Sequence, residues 1–331
     1  MKTISVISPC WNEHDNVRTC YERVKTIFAE QLPGYRLEHI FADNDSTDGT
    51  VEILREIAAS DPAVKVILNS RNFGPTRSTF NALRYATGDA VMVFMPVDMQ
   101  DPPELIPEFV KYWEQGIEVV AGARATREES FLLRSSRNIF YRIVQALSDF
   151  DIPRDVGECQ LIDRKVWRAV MANDDHYPYI RGIIASVGFK RLIVPYTWVS
   201  RKQGISKNNL PRLIDQALNG IFSFTNAPMR LSIYIGFGLA AICILYALVS
   251  AILFLIFPSF APRGTATIIT AIFFLSGVQL AFIGMMGEYV TSIHSQVRKR
   301  PLVVERERLN VHAEPDFTAP LIETSTVTRP Q

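Results

Sequence analysis

The sequence predicts an α/β protein in which a mostly parallel sheet is followed by a hairpin of two membrane-spanning helices. Two observations support this prediction. In the N-terminal third of the chain, short apolar segments alternate with segments of helical periodicity, a pattern typical of a parallel sheet covered by helices. Towards the C-terminus, two uncharged segments are each longer than the roughly 20 apolar residues that cross a bilayer as a helix.

The alternating segments define the predicted sheet. Apolar segments rich in Val and Ile predict strands, and the amphipathic segments between them predict helices. The predicted strands cover residues 4–8, 37–42, 64–68 and 91–95, and the predicted helices cover residues 15–30, 49–59 and 77–86. Each strand ends in a polar loop, and in an open α/β sheet the carboxyl ends of such strands line a ligand-binding crevice.

The most informative loop follows the fourth predicted strand. This strand stops at Pro96, and Asp98, Gln100 and Asp101 come shortly after it. Oxygen ligands grouped at a strand end suit a hard cation such as Mg²⁺ or Mn²⁺, which can in turn hold a phosphate. The alternative is a polar loop that only caps the strand. Within this loop, Asp98 and Gln100 are the expected metal ligands, and Asp101 is interpreted as a turn residue before Pro102.

The other strand ends are also polar, at residues 9–13, 43–49 and 69–74. The alternative for Thr47 and Asp48 is that they are N-caps of the following helix and bind no ligand. Because all these loops are expected at the same edge of the sheet as Asp98, a shared ligand site is the favoured interpretation.

Composition limits the classes of function. The chain has 331 residues, 48% of them hydrophobic, and a formal net charge of +1, so a nucleic-acid-binding surface is not indicated. Apart from Met1, only Lys2 and Thr3 precede the first predicted strand, so we expect no signal peptide. The four cysteines show no paired spacing, which favours buried, reduced thiols and a cytoplasmic environment.

Two segments predict the membrane hairpin. Residues 232–257 and 265–287 lack charged side chains, and the short connection between them makes them neighbours. Basic residues flank the hairpin at its other end, at Arg230 and at residues 298–300. By the positive-inside rule, we expect a multi-pass membrane protein with two spans, whose N-terminal domain and C-terminus are cytoplasmic.

Two basic amphipathic segments accompany the hairpin. Residues 131–147 and 210–222 place apolar side chains at helical spacing. Such helices can lie in the lipid interface, or their apolar stripes can face the domain's own core. The second segment runs into the first span, which favours the interface, whereas both alternatives stay open for the first. The tail from Glu305 onward is polar and is expected to be disordered.

Several motifs together resemble a known family. They cover residues 8–13, 43–50, 71–74, 97–104, 155–157, 201–207 and 223–231. In order and spacing they resemble the polyprenyl-phosphate glycosyltransferases, GT-A-fold enzymes of glycosyltransferase family 2 that are related to dolichyl-phosphate mannose synthase and bactoprenol glucosyltransferases. The resemblance covers about residues 3 to 300. It implies a Rossmann-like GT-A domain at residues 1–206, an amphipathic interface helix at 207–230, two transmembrane helices at 231–290 and a cytoplasmic tail at 291–331.

For the donor, the resemblance implies a nucleotide sugar that carries UDP or GDP. Pro9 and Glu13 would border the nucleotide, and Asp43 would accept a hydrogen bond from the base. Asp98 and Gln100 would hold a Mg²⁺ or Mn²⁺ ion that bridges the two phosphates of the donor and neutralises charge on the leaving group.

A later segment is expected to complete this site. Arg201, Ser206 and Lys207 match the loop that closes over the diphosphate and the acceptor in the family, and the last two would bind the donor. The catalytic residues that the resemblance implies are Asp98, Asp155 and Arg201. Asp155 is expected to orient the acceptor or the sugar, and to act as a base only secondarily.

For the acceptor, the resemblance implies a polyprenyl phosphate in a lipid membrane. Arg124, Arg127 and Arg134 stand where the family has cations near the lipid phosphate, and a planar guanidinium pairs well with phosphate oxygens. A solvated surface position is the alternative for each. The implied reaction is inverting sugar transfer at the cytoplasmic face, which supplies lipid-linked sugar for modification of a cell-envelope glycan. The hairpin could also support a homo-oligomer.

Three parts of the sequence depart from the family pattern. Residues 75–77 stand where a Lys or small residues usually follow Asn-Phe-Gly. Pro96 stands where the family has an Asp that contacts the donor, and proline offers neither a side-chain acceptor nor an N–H. Cys159 and Gln160 replace a Phe-Arg pair, which removes a phosphate-binding cation. These departures leave an alternative open, namely a non-catalytic membrane protein that binds donor or lipid in a glycan pathway.

Overall fold

The computed structural model describes residues 1–124, 156–173, 178–197, 234–239, 264–298 and 301–311, together with scattered positions from 241 to 256. These residues belong to two compact units. The first unit contains a sheet and the helices associated with it, and the second contains the helical residues between 234 and 297.

In the first unit, the described strands form one sheet in the order β7-β5-β6-β4-β1-β2-β3-β8. The strands are β1 (Lys2–Cys10), β2 (Tyr35–Asp43), β3 (Val64–Asn69), β4 (Ala90–Met92), β5 (Val119–Arg124), β6 (Val156–Asp163), β7 (Arg191–Tyr196) and β8 (Glu305–Leu309). The helices are α1 (His14–Gln31), α2 (Thr50–Ser60), α3 (Pro75–Leu83), α4 (Leu105–Glu114), α5 (Arg164–Met171) and α6 (Ile180–Ser186).

Half of the sheet has the predicted parallel arrangement. β1 pairs in parallel with β2 on one side and with β4 on the other, and β2 pairs in parallel with β3. The helices predicted between these strands are present as α1, α2 and α3, close to the predicted ends. The alternating pattern of the N-terminal third therefore predicted both the elements and their parallel pairing.

The fourth strand is shorter than predicted. β4 ends at Met92, whereas the apolar pattern predicts a strand that continues for three more residues. The N–H of Val93 donates to the carbonyl of Gln160 on one side, and the N–H of Met95 donates to the carbonyl of Ile7 on the other. The chain beyond β4 is thus still held between β6 and β1, although it continues no regular ladder with either strand.

The other half of the sheet is mixed. β6 runs antiparallel to both β4 and β5, β7 runs parallel to β5, and β8 runs antiparallel to β3. Because of these directions, the first residue of β6 and the last residues of β5 and β7 lie at the edge of the sheet where β1 and β4 end. A mostly parallel sheet is an accurate description of β1 to β4, and the sheet as a whole is mixed.

The core of the first unit forms between the sheet and helices α1, α2 and α4. Burial of apolar area, worth about 25 cal/mol per Å², stabilises this packing.

Three cysteines of the described residues, Cys10, Cys20 and Cys159, are free and buried. Burial raises the pKa of each thiol. The prediction of buried, reduced thiols is therefore confirmed for these three. The side chains that α1 buries recur at helical spacing, at Val17, Cys20, Tyr21, Val24, Ile27 and Phe28.

The C-terminal strand β8 corrects the expectation of a disordered tail. That prediction is wrong for residues 305–309, which pair antiparallel with β3. Glu305 accepts a hydrogen bond from the side chain of Asn81. Arg55 pairs with Glu307 at 2.6 Å. The charges that suggested disorder are therefore matched by polar partners on α2 and α3, and charged side chains are also a common protection of an edge strand.

Asn310 fixes the end of β8. Its φ of 58° lies in the left-handed region, which Asn tolerates better than most residues. Its side-chain Nδ2 donates to the carbonyl of Ala58 at 2.7 Å and to the carbonyl of Val64 at 2.8 Å. One amide thus joins the C-terminal strand to α2 and to the start of β3.

The second unit is helical wherever its residues are described between 234 and 256, and it continues in α7 (Thr265–Val297). Mainly apolar side chains from both parts, among them Leu239, Leu275, Phe282 and Met286, line one cavity of about 350 Å³, so the two helical parts lie side by side. Over the residues that the structure describes, no helix is both long enough and apolar enough to cross a membrane. The predicted amphipathic segments at 131–147 and 210–222 lie outside the described residues.

We predict that Asn310→Gly lowers the free energy of unfolding by about 1–3 kcal/mol, because glycine keeps the left-handed backbone but removes the side-chain hydrogen bonds. Asn310→Ala should cost more, since it adds backbone strain. Urea unfolding of the full-length protein in detergent measures both changes. Wild-type stability in both variants would contradict the role of Asn310.

The buried His39 gives the fold a pH dependence. Its ring is fully buried and stacks on Phe41, and Nε2 lies 2.9 Å from Ser8 Oγ. Burial lowers the pKa of His39 to about 3, from the ordinary value of 6.5. As the pH falls, His39 is protonated in the unfolded chain before it is protonated in the folded chain. The stability that the neutral, buried His39 provides is therefore complete above the ordinary pKa and is lost progressively below it.

We therefore predict that His39 makes the free energy of unfolding fall by about 2 kcal/mol between about pH 7 and about pH 5. Carboxylates titrate in part of this range, so the comparison is with His39→Asn, which should lack this part of the slope whatever its overall stability. Chemical unfolding at a series of pH values measures both slopes. Equal slopes would show that His39 is not the group responsible.

Candidate functional site

The polar loops after β1, β2, β3 and β4 lie at one edge of the sheet because these strands are parallel. The order β3-β2-β1-β4 also shows that the chain passes from one side of β1 to the other after β3. In open α/β sheets such a reversal opens a crevice beside the central strands, and ligands bind there. The prediction of one shared edge is confirmed for these four loops.

The loops after β1 and β2 are held to each other by hydrogen bonds. The N–H of Asn12 donates to Ser46 Oγ at 2.8 Å, and the side-chain oxygen of Asn12 accepts from the N–H of Thr47 at 2.9 Å. The N–H of Glu13 donates to Thr50 Oγ1 at 3.0 Å. The first loop, which was expected to border a nucleotide, is therefore positioned by the second.

Asp48 joins the starts of two helices. One carboxylate oxygen accepts from the N–H of His14 at 3.1 Å, and the other accepts from the N–H of Thr50 at 3.1 Å. Burial alone would raise the pKa of Asp48, but hydrogen bonds outweigh it and lower the pKa. The negative charge also complements the dipoles of α1 and α2. The N-cap residue of α2 is Gly49, so the prediction that Thr47 or Asp48 is the N-cap is wrong, although Asp48 does bind first-turn N–H groups of both helices.

Asp43 is a buried carboxylate at this edge. It is the last residue of β2 and is fully buried, and the N–H of Ser46 lies 3.0 and 3.3 Å from its two oxygens. Burial raises the pKa of Asp43, while the hydrogen bond from Ser46 and the positive charge of Arg306 oppose this rise. A carboxylate has about four acceptor positions, so Asp43 can accept a further N–H from a ligand.

Pro9 and Glu13, the other residues expected near a nucleotide, lie on either side of the first loop. Pro9 is buried within β1. Glu13 is partly exposed just before α1, and its carboxylate accepts a hydrogen bond from Asn16 Nδ2 at 2.6 Å. The structure thus brings Pro9, Glu13 and Asp43 to the carboxyl ends of two adjacent strands.

The loop after β3 is joined to the loop after β2 through asparagine side chains. Asn69 Nδ2 donates to Asn44 Oδ1 at 3.1 Å and to Ser78 Oγ at 2.9 Å. The N–H of Phe73 also donates to Asn44 Oδ1, at 3.3 Å. Gly74, the residue directly before α3, has a φ of 86°, a conformation that suits glycine. Three successive loops therefore form one connected network.

Asp98 and Gln100 lie in a tight turn beyond β4. The N–H of Met99 donates to the carbonyl of Pro96 at 3.0 Å, and the N–H of Gln100 donates to Asp98 Oδ1 at 3.2 Å. Met99 has a φ of 51°, which marks the turn as strained. Pro96 thus closes the turn through its carbonyl, a role for which the lack of an N–H is no disadvantage.

The donor set fits a divalent cation that also binds phosphates. Among the described residues, no group of three or more His, Cys, Asp or Glu side chains is assembled as a metal site. Mg²⁺ in phosphate-transfer sites usually keeps several waters and takes only one or two protein carboxylates together with phosphate oxygens of the substrate. The carboxylate of Asp98 and the amide of Gln100 are compatible with such a site.

Asp101 has a role that its sequence context did not reveal. It precedes two prolines and was expected to be a turn residue, but it is buried and accepts a hydrogen bond from the hydroxyl of Tyr196. Its carboxylate also lies 3.4 Å from Arg124 Nη2. Burial, and then the neighbouring Asp101 charge, raise the pKa of Tyr196, which keeps its hydroxyl protonated. Arg124, an expected phosphate ligand, is therefore held by Asp101.

Gln160, part of one of the three departures from the family pattern, lies inside the protein. Its side chain is buried, and Nε2 donates to the carbonyl of Gly157 at 3.0 Å. Nearby, Arg181 Nη1 donates to the carbonyl of Val156 at 3.2 Å, and Arg181 Nε lies 3.8 Å from a Glu158 oxygen. Burial raises the pKa of Glu158, and the Arg181 charge opposes this rise. The start of β6 thus carries a cation on Arg181 that the motif pattern did not indicate.

The remaining expected site residues lie outside the described residues. They are Arg127, Arg134, Asp155, Arg201, Ser206 and Lys207. Asp155 directly precedes β6, whose first residue lies at the same edge of the sheet as the end of β4. Its predicted role, and those of the other five residues, stay predictions.

The fold is an open α/β sheet with a candidate ligand site at one edge, and comparison with known proteins identifies its family. The model described as glycosyl transferase family 2 matches residues 5–170, and the model described as GtrB C-terminal hairpin matches residues 227–293. The chain belongs to glycosyl transferase family 2 and is a glycosyltransferase.

Individual relatives match most of the chain. It is 33% identical over 309 residues to the uncharacterized glycosyltransferase YkcC of Bacillus subtilis, and the matched region covers 93% of this chain and 94% of the relative. It is 35% identical over 299 residues to the SfII prophage-derived bactoprenol glucosyl transferase of Shigella flexneri, which covers 90% and 96%. Among solved structures, the mannosyltransferase PcManGT of Pyrobaculum calidifontis in complex with GDP-Man and Mn²⁺ matches over 90% of this chain and 88% of that chain, with 16% identity and a TM-score of 0.45.

We predict that Tyr196→Phe lowers the free energy of unfolding by about 1–3 kcal/mol, because it leaves the buried Asp101 carboxylate without its hydroxyl donor. Tyr35→Phe is a matched control, since the Tyr35 hydroxyl donates to Glu114 at an exposed position and should contribute well under about 1 kcal/mol. Urea unfolding of both variants makes the comparison. An equal cost in the two variants would contradict a special role for Asp101.

Proposed function

We propose that the protein transfers a sugar, with inversion, from a nucleoside-diphosphate sugar to a polyprenyl phosphate at the cytoplasmic face of a membrane. The observation that carries this proposal is the pairing of β2 and β4 on the two sides of β1. Asp43 ends the first of these strands, and Asp98 follows the second. One carboxylate can therefore meet a nucleobase while the other meets the metal-bound diphosphate.

Relatives support the lipid acceptor. A bactoprenol glucosyl transferase is 35% identical over 90% of this chain, which favours a polyprenyl phosphate as the acceptor. The product would be a lipid-linked sugar that supplies the modification of a cell-envelope glycan.

The family model of the C-terminal hairpin supports placing the reaction at a membrane. The match to the GtrB C-terminal hairpin at residues 227–293 contains both uncharged segments that the sequence predicts as spans. We propose two spans, with the sheet-containing unit and the C-terminus on the cytoplasmic side. Basic residues 298–300 favour this orientation. Association of copies through the hairpin is part of the proposal.

On the donor side, each residue has a distinct task. Asp43 would accept the N–H of the base, and Pro9 and Glu13 would border the nucleotide. Asp98 and Gln100 would hold Mg²⁺ or Mn²⁺. When bound, such an ion supplies Lewis-acid stabilisation of the leaving diphosphate, an effect worth several kcal/mol in comparable enzymes.

On the acceptor side, orientation matters more than proton removal. The second pKa of a phosphate monoester is about 6, so the attacking oxygen is already ionised at neutral pH. We assign orientation of the acceptor or sugar to Asp155. Arg124 would bind the lipid phosphate while Asp101 fixes its guanidinium.

The remaining acceptor cations and the closing loop complete the proposed machinery. Arg127 and Arg134 would add positive charge for the lipid phosphate. Arg201, Ser206 and Lys207 would close over the diphosphate, so that water is kept from the anomeric carbon. Each of these assignments carries over from the family motifs in the sequence.

A turnover assay tests the proposal. Purified protein is incubated with a short polyprenyl phosphate, Mn²⁺ or Mg²⁺, and a panel of UDP- and GDP-sugars, and release of nucleoside diphosphate is followed. We expect release that requires both the lipid phosphate and the divalent ion. Nucleotide binding without turnover on any of these donors would contradict the proposed reaction.

We predict that Asp98→Ala lowers metal-dependent turnover by roughly a thousandfold, which corresponds to about 4 kcal/mol of lost transition-state stabilisation. Asp15→Ala is the matched control, because Asp15 is an exposed carboxylate at the start of α1. Steady-state rates at saturating Mn²⁺ compare the two variants. Activity that survives Asp98→Ala would remove Asp98 from the metal site.

A further inference from the structure

The strand β8 contains an irregularity at Arg306. In its pairing with β3, Leu68 lies opposite Glu307 and Asn69 lies opposite Glu305, so the bulge leaves Arg306 out of the register. Such bulges redirect a side chain and are frequent beside active sites.

The redirected side chain reaches the loop that follows β2. Arg306 Nη1 lies 3.2 Å from Asp45 Oδ1, and about half of the Arg306 side chain is exposed. Asp45 is two residues beyond Asp43, and the positive charge of Arg306 is one of several influences that oppose the rise in the pKa of Asp43. The guanidinium is therefore at the rim of the place where Asp43 would meet a nucleobase.

The strand that carries Arg306 is firmly attached at both ends. Glu305 accepts hydrogen bonds from Asn81 and Tyr85 before the bulge, and Asn310 donates to the carbonyls of α2 and β3 after it. Arg306 is consequently positioned by the fold and not by a loose tail.

We propose that Arg306 is a donor-binding residue, whose guanidinium hydrogen-bonds a carbonyl oxygen of the nucleobase that Asp43 also contacts. The inference rests on the proposed function, and it adds the C-terminal strand to the donor site. Uracil and guanine both carry a ring N–H directly beside a carbonyl. An acceptor on Asp43 and a donor on Arg306 match these two adjacent groups, and Asp45 holds the guanidinium near them.

Calorimetric binding tests the proposal on the full-length protein in detergent with Mn²⁺. The probes are UDP, GDP and inorganic pyrophosphate, which lacks a base. We expect Arg306→Ala to weaken binding of the preferred nucleoside diphosphate about tenfold, as the loss of one charge-assisted hydrogen bond implies, and to leave pyrophosphate binding within about twofold. Arg306→Lys keeps the charge but not the planar fork, so its affinity for the nucleoside diphosphate should lie between those of the wild type and Arg306→Ala.

Two further variants distinguish loss of the contact between Arg306 and the base from other causes of weaker nucleotide binding. Arg308 lies on the same strand with its guanidinium over the Tyr85 ring, so Arg308→Ala should perturb β8 without changing nucleotide affinity. Removing Arg306 also exposes the Asp45 charge, which could repel the donor by itself. The double variant Arg306→Ala with Asp45→Asn removes that charge, and we expect it to bind as weakly as Arg306→Ala.

Several results would overturn the proposal. These are wild-type affinity in Arg306→Ala, an equal loss of pyrophosphate binding, an equal loss in Arg308→Ala, or full recovery in the double variant. Because binding needs no turnover, these results leave the proposed reaction intact. A wild-type protein that binds no nucleoside diphosphate would instead contradict the proposed function as well.

Discussion

The parallel pairing of β1 with β2 on one side and with β4 on the other is the constraint on which the candidate site depends. It brings the ends of three strands to one edge and opens a crevice where the chain reverses direction across the sheet. Asp43 and Asp98 are far apart in sequence, yet both are placed at this edge by backbone hydrogen bonds. The chemistry proposed for them follows from this placement.

Several polar side chains at this edge hold the loops to one another. Asn12 joins the first two loops, Asn44 joins the second and third, and Asp48 joins the starts of α1 and α2. Each such hydrogen bond contributes only about 1 kcal/mol, but together they fix the backbone before a ligand arrives. A preorganised site loses less conformational entropy on binding, which favours both affinity and a defined geometry.

Local patterns predicted β1 to α3 well, because each of these elements is specified by its own apolar periodicity and each is a neighbour of the next. They failed where the decisive partner is distant in sequence. Asp101 resembled a turn residue before two prolines, since its partner Tyr196 is 95 residues away. The charges of β8 suggested disorder because their partners, Arg55 and Asn81, lie more than 200 residues earlier. No local signal in the sequence marks either contact.

The central claim is that the edge formed by β1, β2 and β4 holds a metal-bound nucleoside diphosphate. The most direct measurement is a structure of the full-length protein with Mn²⁺ and a nucleoside diphosphate, in which the anomalous signal locates the metal. The account predicts a manganese ion coordinated by the Asp98 carboxylate, with the base beside Asp43. A nucleotide bound elsewhere, or a manganese ion that does not contact Asp98, would contradict it.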